Sequence, residues 1–332
     1  MKAIIYEKVG GPDVLQYKTV PDPVCGPGQV VVRVAACGIN LLDYYLRIEE
    51  DPEMPLPHIM GSDVAGVVEQ VGKDVRSGPK VGDEVIVSAA IENYKPGRAG
   101  IIGYQINGGY AELVAVPAQN LVKKPKSLSF EEAASLPLVG QTAYHQMITR
   151  GKLETANTVL IIGANSGIGC MARALAQAFG AKPICTVSSA AKLEQAKKLG
   201  WDNVILHVEA KWEEKVLAIA GNQGVDVVVD HMGGAYTEAG VRLARPFGRI
   251  VCIGSTQGDE IRIRLSELYR KQLSLIGSYM GTVEELKKVV RLAGAGKIRP
   301  VVDRVFELKN AAAAHQYLES RKHFGKIILK VS

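Results

Sequence analysis

From residue 158 onward the chain repeats one unit, a short apolar run followed by a stretch of helical periodicity. The runs are 159–162, 183–187, 204–206, 225–230, 249–253 and 273–276. Between the first two, Ile168, Ala172, Leu175, Ala176 and Phe179 recur at helical spacing. Strands alternating with helices make right-handed crossovers and a parallel sheet with helices on both faces. Six of them predict an α/β, doubly wound, dinucleotide-binding fold.

The first run ends in Gly163-Ala-Asn-Ser-Gly-Ile-Gly169, where a helix opens. Small residues let the backbone approach a pyrophosphate, and the helix N-terminus offers free N–H groups and the positive end of a dipole. Asn165, Ser166, Gly167 and Ile168 are therefore expected to bind a dinucleotide. An acid at the tip of the second strand would bind the ribose 2′-OH of NAD. The tip here reads Thr186-Val-Ser-Ser-Ala-Ala-Lys192, with no acid before Glu194. Ser188, Ser189 and Lys192 suit a 2′-phosphate dianion, so the expected cofactor is NADP(H). Ser188 and Ser189 also read as caps of the next helix, and Ser189 can serve both ends.

The first half is strand-rich, with runs at 3–6, 30–35, 64–71, 84–87 and 109–116 separated by Gly and Pro clusters. Ser129, followed by Phe-Glu-Glu, predicts a capped helix start. After the sixth run come a helix over 283–293, a strand over 301–308, a helix over 310–320 and a strand over 326–331. At 332 residues the chain exceeds what one core usually holds. Forty Lys and Arg against 34 Asp and Glu leave a net charge of +6, but the charges are interleaved. No basic stripe appears, which argues against nucleic acid, while a mild excess suits a polyanionic cofactor. No run is long enough to span a membrane, and MKAIIYEKVG lacks the apolar core of a leader, so the expected location is the cytoplasm. The five cysteines hold no C-x-x-C spacing and read as reduced thiols. The six histidines (58, 145, 207, 231, 315, 323) hold no metal spacing and read as structural or exposed.

Several stretches together carry a resemblance: Gly28-Gln-Val-Val-Val-Arg-Val, Gly61-Ser-Asp-Val-Ala-Gly, Val81-Gly-Asp-Glu-Val, Gly108-Gly-Tyr-Ala-Glu, Ser129-Phe-Glu-Glu-Ala-Ala, Lys271-Gln and Phe324-Gly-Lys. Along essentially its whole length the chain resembles the medium-chain dehydrogenase/reductase superfamily. That resemblance implies a β-rich, GroES-like catalytic domain over 1–139 and 279–332. A six-stranded Rossmann NADP-binding domain over 140–278 interrupts it. It also implies a homodimer or homotetramer. The sixth strand, apolar on both faces, is an edge that either antiparallel pairing with a second copy or a C-terminal segment within the monomer would cover.

Zinc-dependent members of the family carry metal ligands at the positions of Asn40, Ser62 and near Leu138, and a Cys-rich lobe where 90–100 here has no Cys. Tetrahedral zinc wants thiolate, imidazole or carboxylate, so no metal is expected. The Asn40-x-x-Asp43-x-Tyr45 pattern resembles the zinc-independent quinone oxidoreductases. Gly281-Thr, Phe324-Gly-Lys and the stretch at 108–110 resemble the alcohol dehydrogenases more. No Tyr is followed by Lys four residues on, which excludes the short-chain dehydrogenases.

The implied activity is hydride transfer from NADPH to a small molecule, a quinone, enone or activated (aryl) ketone, without zinc. Two other readings stand: a ketone reductase or alcohol dehydrogenase of the zinc type, and an NADPH-binding structural or regulatory protein with little turnover. The expected catalytic residues are Asn40, Asp43 and Tyr45. Asn40 and Tyr45 would donate to a substrate oxygen while Asp43 orients them. Alternatively Asp43 caps a helix over 44–48 and Tyr45 is a half-buried wall. Gly254 and Ser255, after the fifth strand, are expected beneath the nicotinamide ribose. The resemblance sets Thr142 near the nicotinamide, Ser278 and Tyr279 at its amide and Lys326 at the pyrophosphate. Helix packing for Thr142 and a solvated surface for Lys326 are the alternatives.

Overall fold

The computed structural model describes residues 1–54 and 56–331. They form two compact units. One holds 1–141, 282–296 and 300–332; the other holds 142–281 and 297–299.

The second unit is built on a six-stranded parallel sheet. Across it the strands run Val204–Leu206, Lys182–Val187, Thr158–Ile161, Val225–Asp230, Ala244–Cys252 and Ser274–Gly277. In chain order this is 3-2-1-4-5-6, with its reversal between Thr158–Ile161 and Val225–Asp230. Every residue of Val225–Asp230 is buried, as expected of a parallel strand covered on both faces. Leu160, Ile184, Ile205, Val228 and Ile250 of the sheet form one apolar cluster with Val216 and Leu243 of the crossover helices. The outer strand, Ser274–Gly277, pairs with Ala244–Cys252 alone among the described strands, and Leu275 is 42% exposed.

The first unit is organised by one long strand, Gln29–Ile39. Asp63–Val71 pairs along one edge. The other edge is shared, Leu113–Pro117 pairing with residues 29–33 and the last strand, Lys326–Lys330, with residues 36–39. Two registers matter for function. Ile327 lies opposite Ile39, which brings Lys326 abreast of Asn40. Gly38 lies opposite Asp63. Residues more than 260 positions apart are thereby gathered at one strand end. The chain then turns into helix Leu41–Ile48, three residues earlier than the 44–48 expected from sequence.

Candidate active site

Lys326 is the hub of the first unit's polar centre. Its Nζ donates to Ile39 O at 2.7 Å, Asn40 Oδ1 at 2.6 Å and Asp63 Oδ2 at 2.7 Å. An ammonium has three hydrogens, and all are used. The residue is only 4% exposed. Both expectations for Lys326 are therefore corrected. It is no solvated surface lysine, and it has no donor left for a pyrophosphate. An ammonium cannot accept, so it fixes the orientation of Asn40: Oδ1 must face Lys326, and Nδ2 then donates to Asp63 Oδ2 at 2.9 Å. One amide hydrogen of Asn40 remains. The other oxygen of Asp63 accepts the Leu138 N–H at 2.6 Å.

Asp43 is fully buried and sits at the third position of helix Leu41–Ile48. Its Oδ2 accepts the backbone N–H of Asn40 at 2.8 Å and the hydroxyl of Tyr110 at 2.9 Å. The cap of this helix is Asn40, not Asp43; Asp43 is the carboxylate that reaches back to it. Burial raises the Asp43 carboxyl to about 6, and the Asn40 and Tyr110 donors oppose that rise. Tyr45, half-buried on the same helix, stands edge-on to Tyr44 with ring centroids 5.3 Å apart. Tyr110 was missed by sequence reading. Its ring fits because position 61 is Gly with φ +105°; a Cβ there would lie 2.4 Å from Tyr110 Cδ1.

In the second unit, the turn at 163–169 is held by its own hydrogen bonds. Ser166 caps helix Gly167–Ala178, its Oγ accepting the Gly169 N–H at 3.0 Å. The first-turn N–H groups, Gly167 and Ile168 among them, have no intrahelical acceptor. A Cβ on Gly169 would lie 2.5 Å from Ala164 Cα, so this strand-to-helix turn closes only with glycine there. Asn165 is buried in the turn. His231 Nε2 lies 3.0 Å from Ser166 Oγ, a contact sequence reading did not foresee. At the next strand tip, Ser189 caps helix Ala190–Lys198 and Lys192 Nζ reaches Ser188 Oγ at 3.2 Å. Capping thus belongs to Ser189, while Ser188 and Lys192 meet at the tip. His207 is pushed down to about 4, by burial first and then by the charge of Lys192.

Thr142 Oγ1 and Ser278 Oγ are buried and have no partner among the described residues. A buried hydroxyl without a partner is unusual and is the kind of group a bound ligand completes. Ser255 is exposed, Tyr279 is 48% exposed, and Gly254 packs against the backbone of His231. These groups, with the turn and the serine–lysine tip, fit a nicotinamide dinucleotide.

The 3-2-1-4-5-6 sheet with its glycine turn is the doubly wound class of dinucleotide-binding folds. The comparisons agree. Residues 26–126 match the alcohol dehydrogenase GroES-like domain, and residues 167–295 match the zinc-binding dehydrogenase family. Quinone oxidoreductase of Sus scrofa is 30% identical over 99% of this chain and 97% of its own length. The crystal structure of an NAD-dependent alcohol dehydrogenase aligns at TM-score 0.94 and 37% identity, covering both chains fully. A 2-octenoyl-CoA carboxylase reductase in complex with NADP and 2-octenoyl-CoA aligns at TM-score 0.91 and 28% identity, over 99% of this chain and 87% of that one. The chain belongs to the medium-chain dehydrogenase/reductase superfamily, a family of oxidoreductases.

The second family name raises zinc, and the residues do not fit it. The amide of Asn40 is held between Lys326 and Asp63, Ser62 offers a hydroxyl, and Leu138 contributes only its backbone. A donor-only ammonium is paired with the Asp63 carboxylate, and the Asp43 carboxylate accepts from the Asn40 backbone and Tyr110. Among the described residues no three His, Cys, Asp or Glu side chains gather where they could hold a metal ion. Thiolate, imidazole and carboxylate are what zinc requires.

Proposed function

We propose that this protein transfers hydride from NADPH to a quinone, an enone or an activated aryl ketone, without zinc. The observation that carries this reading is the single uncommitted hydrogen on the amide of Asn40, with Lys326 polarising the amide from its oxygen side. Such a donor stabilises negative charge developing on a substrate oxygen. It is weaker than a Lewis-acidic metal, so the acceptor must delocalise charge itself, as quinones and conjugated carbonyls do.

In this reading Ser166, Gly167 and Ile168 hold the diphosphate, and Ser188 with Lys192 holds the 2′-phosphate. Thr142 and Ser278 complete the hydrogen bonding of the carboxamide. Bound NADPH supplies the hydride. Asn40 binds the acceptor oxygen, Tyr45 donates to it from the adjoining helix, and Asp43 keeps the Asn40 backbone in place. The protein works as a homodimer or homotetramer, its outer strand Ser274–Gly277 paired with that of a second copy.

NADH preference, which the name of one similar structure suggests for that protein, is the competing reading. Paired titrations decide between them. NADPH should bind at least about tenfold more tightly than NADH, worth about 1.4 kcal/mol. Lys192→Ala should abolish most of that difference, and equal affinities in the unaltered protein would refute the assignment. Following NADPH absorbance over a panel of quinones, enones, aryl ketones and aldehydes tests the acceptor class. Asn40→Ala should lower kcat/KM on the best acceptor by about a hundredfold or more, the usual loss for an oxyanion donor.

A further inference from the structure

Behind Asn40, two buried polar groups that the mechanism has not used, Tyr110 and His315, connect to Asp43. Tyr110, fully buried, gives its hydroxyl hydrogen to Asp43 Oδ2 at 2.9 Å. That oxygen also takes the backbone N–H of Asn40. Having spent its hydrogen, the Tyr110 hydroxyl can only accept from His315 Nε2, which lies 3.2 Å away. His315, on helix Ala311–Glu319, is fully buried, and its ring stands edge-on to Tyr110 at 89°. Its tautomer follows: Nε2 carries the hydrogen and Nδ1 is the bare lone pair, consistent with Nδ1 having no partner among the described residues. The direction of every bond is thus determined, from His315 to Tyr110 to Asp43, which Asn40 meets from the other side.

Such a chain is expensive if its only role is stability, because burying polar groups gains little over packing apolar ones. Its end, however, is the backbone of the residue whose amide faces the acceptor. The side chain of Asn40 is fixed by Lys326 and Asp63, and its main chain by Asp43. We infer that Tyr110 and His315 are positioning residues for hydride transfer. They aim the Asn40 amide through Asp43, although neither touches substrate or cofactor.

The inference rests on the reading of Asn40 as the donor to the acceptor oxygen, and a double-mutant cycle separates the two. Menadione reduction by NADPH is measured for the unaltered protein, Tyr110→Phe, Asn40→Ala and the double variant. Tyr110→Phe should lower kcat about tenfold, as a small misplacement of a donor does, and leave the KM for NADPH unchanged. In the Asn40→Ala background the same change should cost less than about twofold, because the residue it acts through is gone. His315→Gln, which keeps an N–H donor, should retain most of the rate that His315→Leu loses, and this pair carries the test if Tyr110→Phe does not fold. A tenfold loss that persists in the Asn40→Ala background would make Tyr110 merely structural and overturn the inference. So would an unimpaired Tyr110→Phe beside an impaired Asn40→Ala. If Asn40→Ala alone loses nothing, the reading of Asn40 itself has failed, and the positioning role falls with it.

Discussion

Lys326 shows how much one buried side chain decides. Its ammonium balances Asp63, sets the rotamer of Asn40 and completes the turn at Ile39. Lys326→Met would leave the Asp63 carboxylate buried and uncompensated, which costs about 3–5 kcal/mol. Thermal or denaturant unfolding should register that loss, and the double variant Lys326→Met with Asp63→Leu should recover much of it. If the single variant is as stable as the unaltered protein, the buried pair does not have the role assigned to it. Asp43 makes a prediction with two opposite signs. Burial raises its carboxyl to about 6, so the folded state holds this proton where the unfolded chain has lost it. Between about pH 4 and 6 its contribution to stability therefore falls as pH rises. Activity should do the reverse. Ionised Asp43 grips Asn40 best, so kcat should decline as pH falls through about 6. Tyr110, Lys326, Asp63, Cys37 and Tyr6 all act electrostatically with this carboxyl, and removing the Tyr110 hydroxyl should move the acid limb to higher pH. A flat profile from pH 5 to 8 would count against the role of Asp43. Asn40 and Asp43 were legible in the sequence as a local pattern, but their partners Lys326, Tyr110 and His315 were not. The sequence places Lys326 at the pyrophosphate or on a solvated surface and reads His315 as structural or exposed, because the register that brings Lys326 to Asn40 spans 286 positions.

At the level of elements the reading was far more complete, for a physical reason. Parallel strands covered on both faces must be apolar throughout, so the strands of the sheet announced themselves as apolar runs. Their helices announced themselves by period, and the capped start at Ser129 followed from local chemistry alone. What failed was the start of helix Leu41–Ile48, because Asn40 and Asp43 both offer a cap: the expectation placed it at Asp43, whereas Asn40 is the cap and Asp43 its reciprocal partner. The fifth strand also begins earlier than the expected 249, at Ala244, extending through Pro246 and Phe247 toward the preceding helix. The glycine turn offers an element-scale test. Gly169→Val would drive its side chain into the backbone of Ala164 and spread the strand-to-helix turn. NADPH affinity should fall at least about tenfold, or 1.4 kcal/mol, by fluorescence titration. Unchanged affinity would mean that the dinucleotide is held elsewhere.

For the whole molecule, the open edge and the acceptor chemistry are the two claims that reach beyond one chain. Strand Ser274–Gly277 has an exposed outer side, and Phe247, Leu265, Tyr269 and Tyr279 are exposed in neighbouring parts of the sequence. An edge of this kind is a hazard unless something pairs with it. Light scattering should give at least twice the monomer mass at micromolar concentration, and Ser274→Pro should dissociate it. A monomer insensitive to that substitution would leave the edge unpaired. Among the described residues no helix is long and apolar enough to cross a membrane. The most direct measurement is turnover itself. The protein is treated exhaustively with EDTA, its zinc content is determined by elemental analysis, and NADPH oxidation is followed with menadione and with an α,β-unsaturated ketone. Undiminished hydride transfer at far less than one zinc per chain, lost on Asn40→Ala, is the expected result. A stoichiometric zinc whose removal abolishes activity, or a metal-free enzyme indifferent to Asn40→Ala, would contradict it.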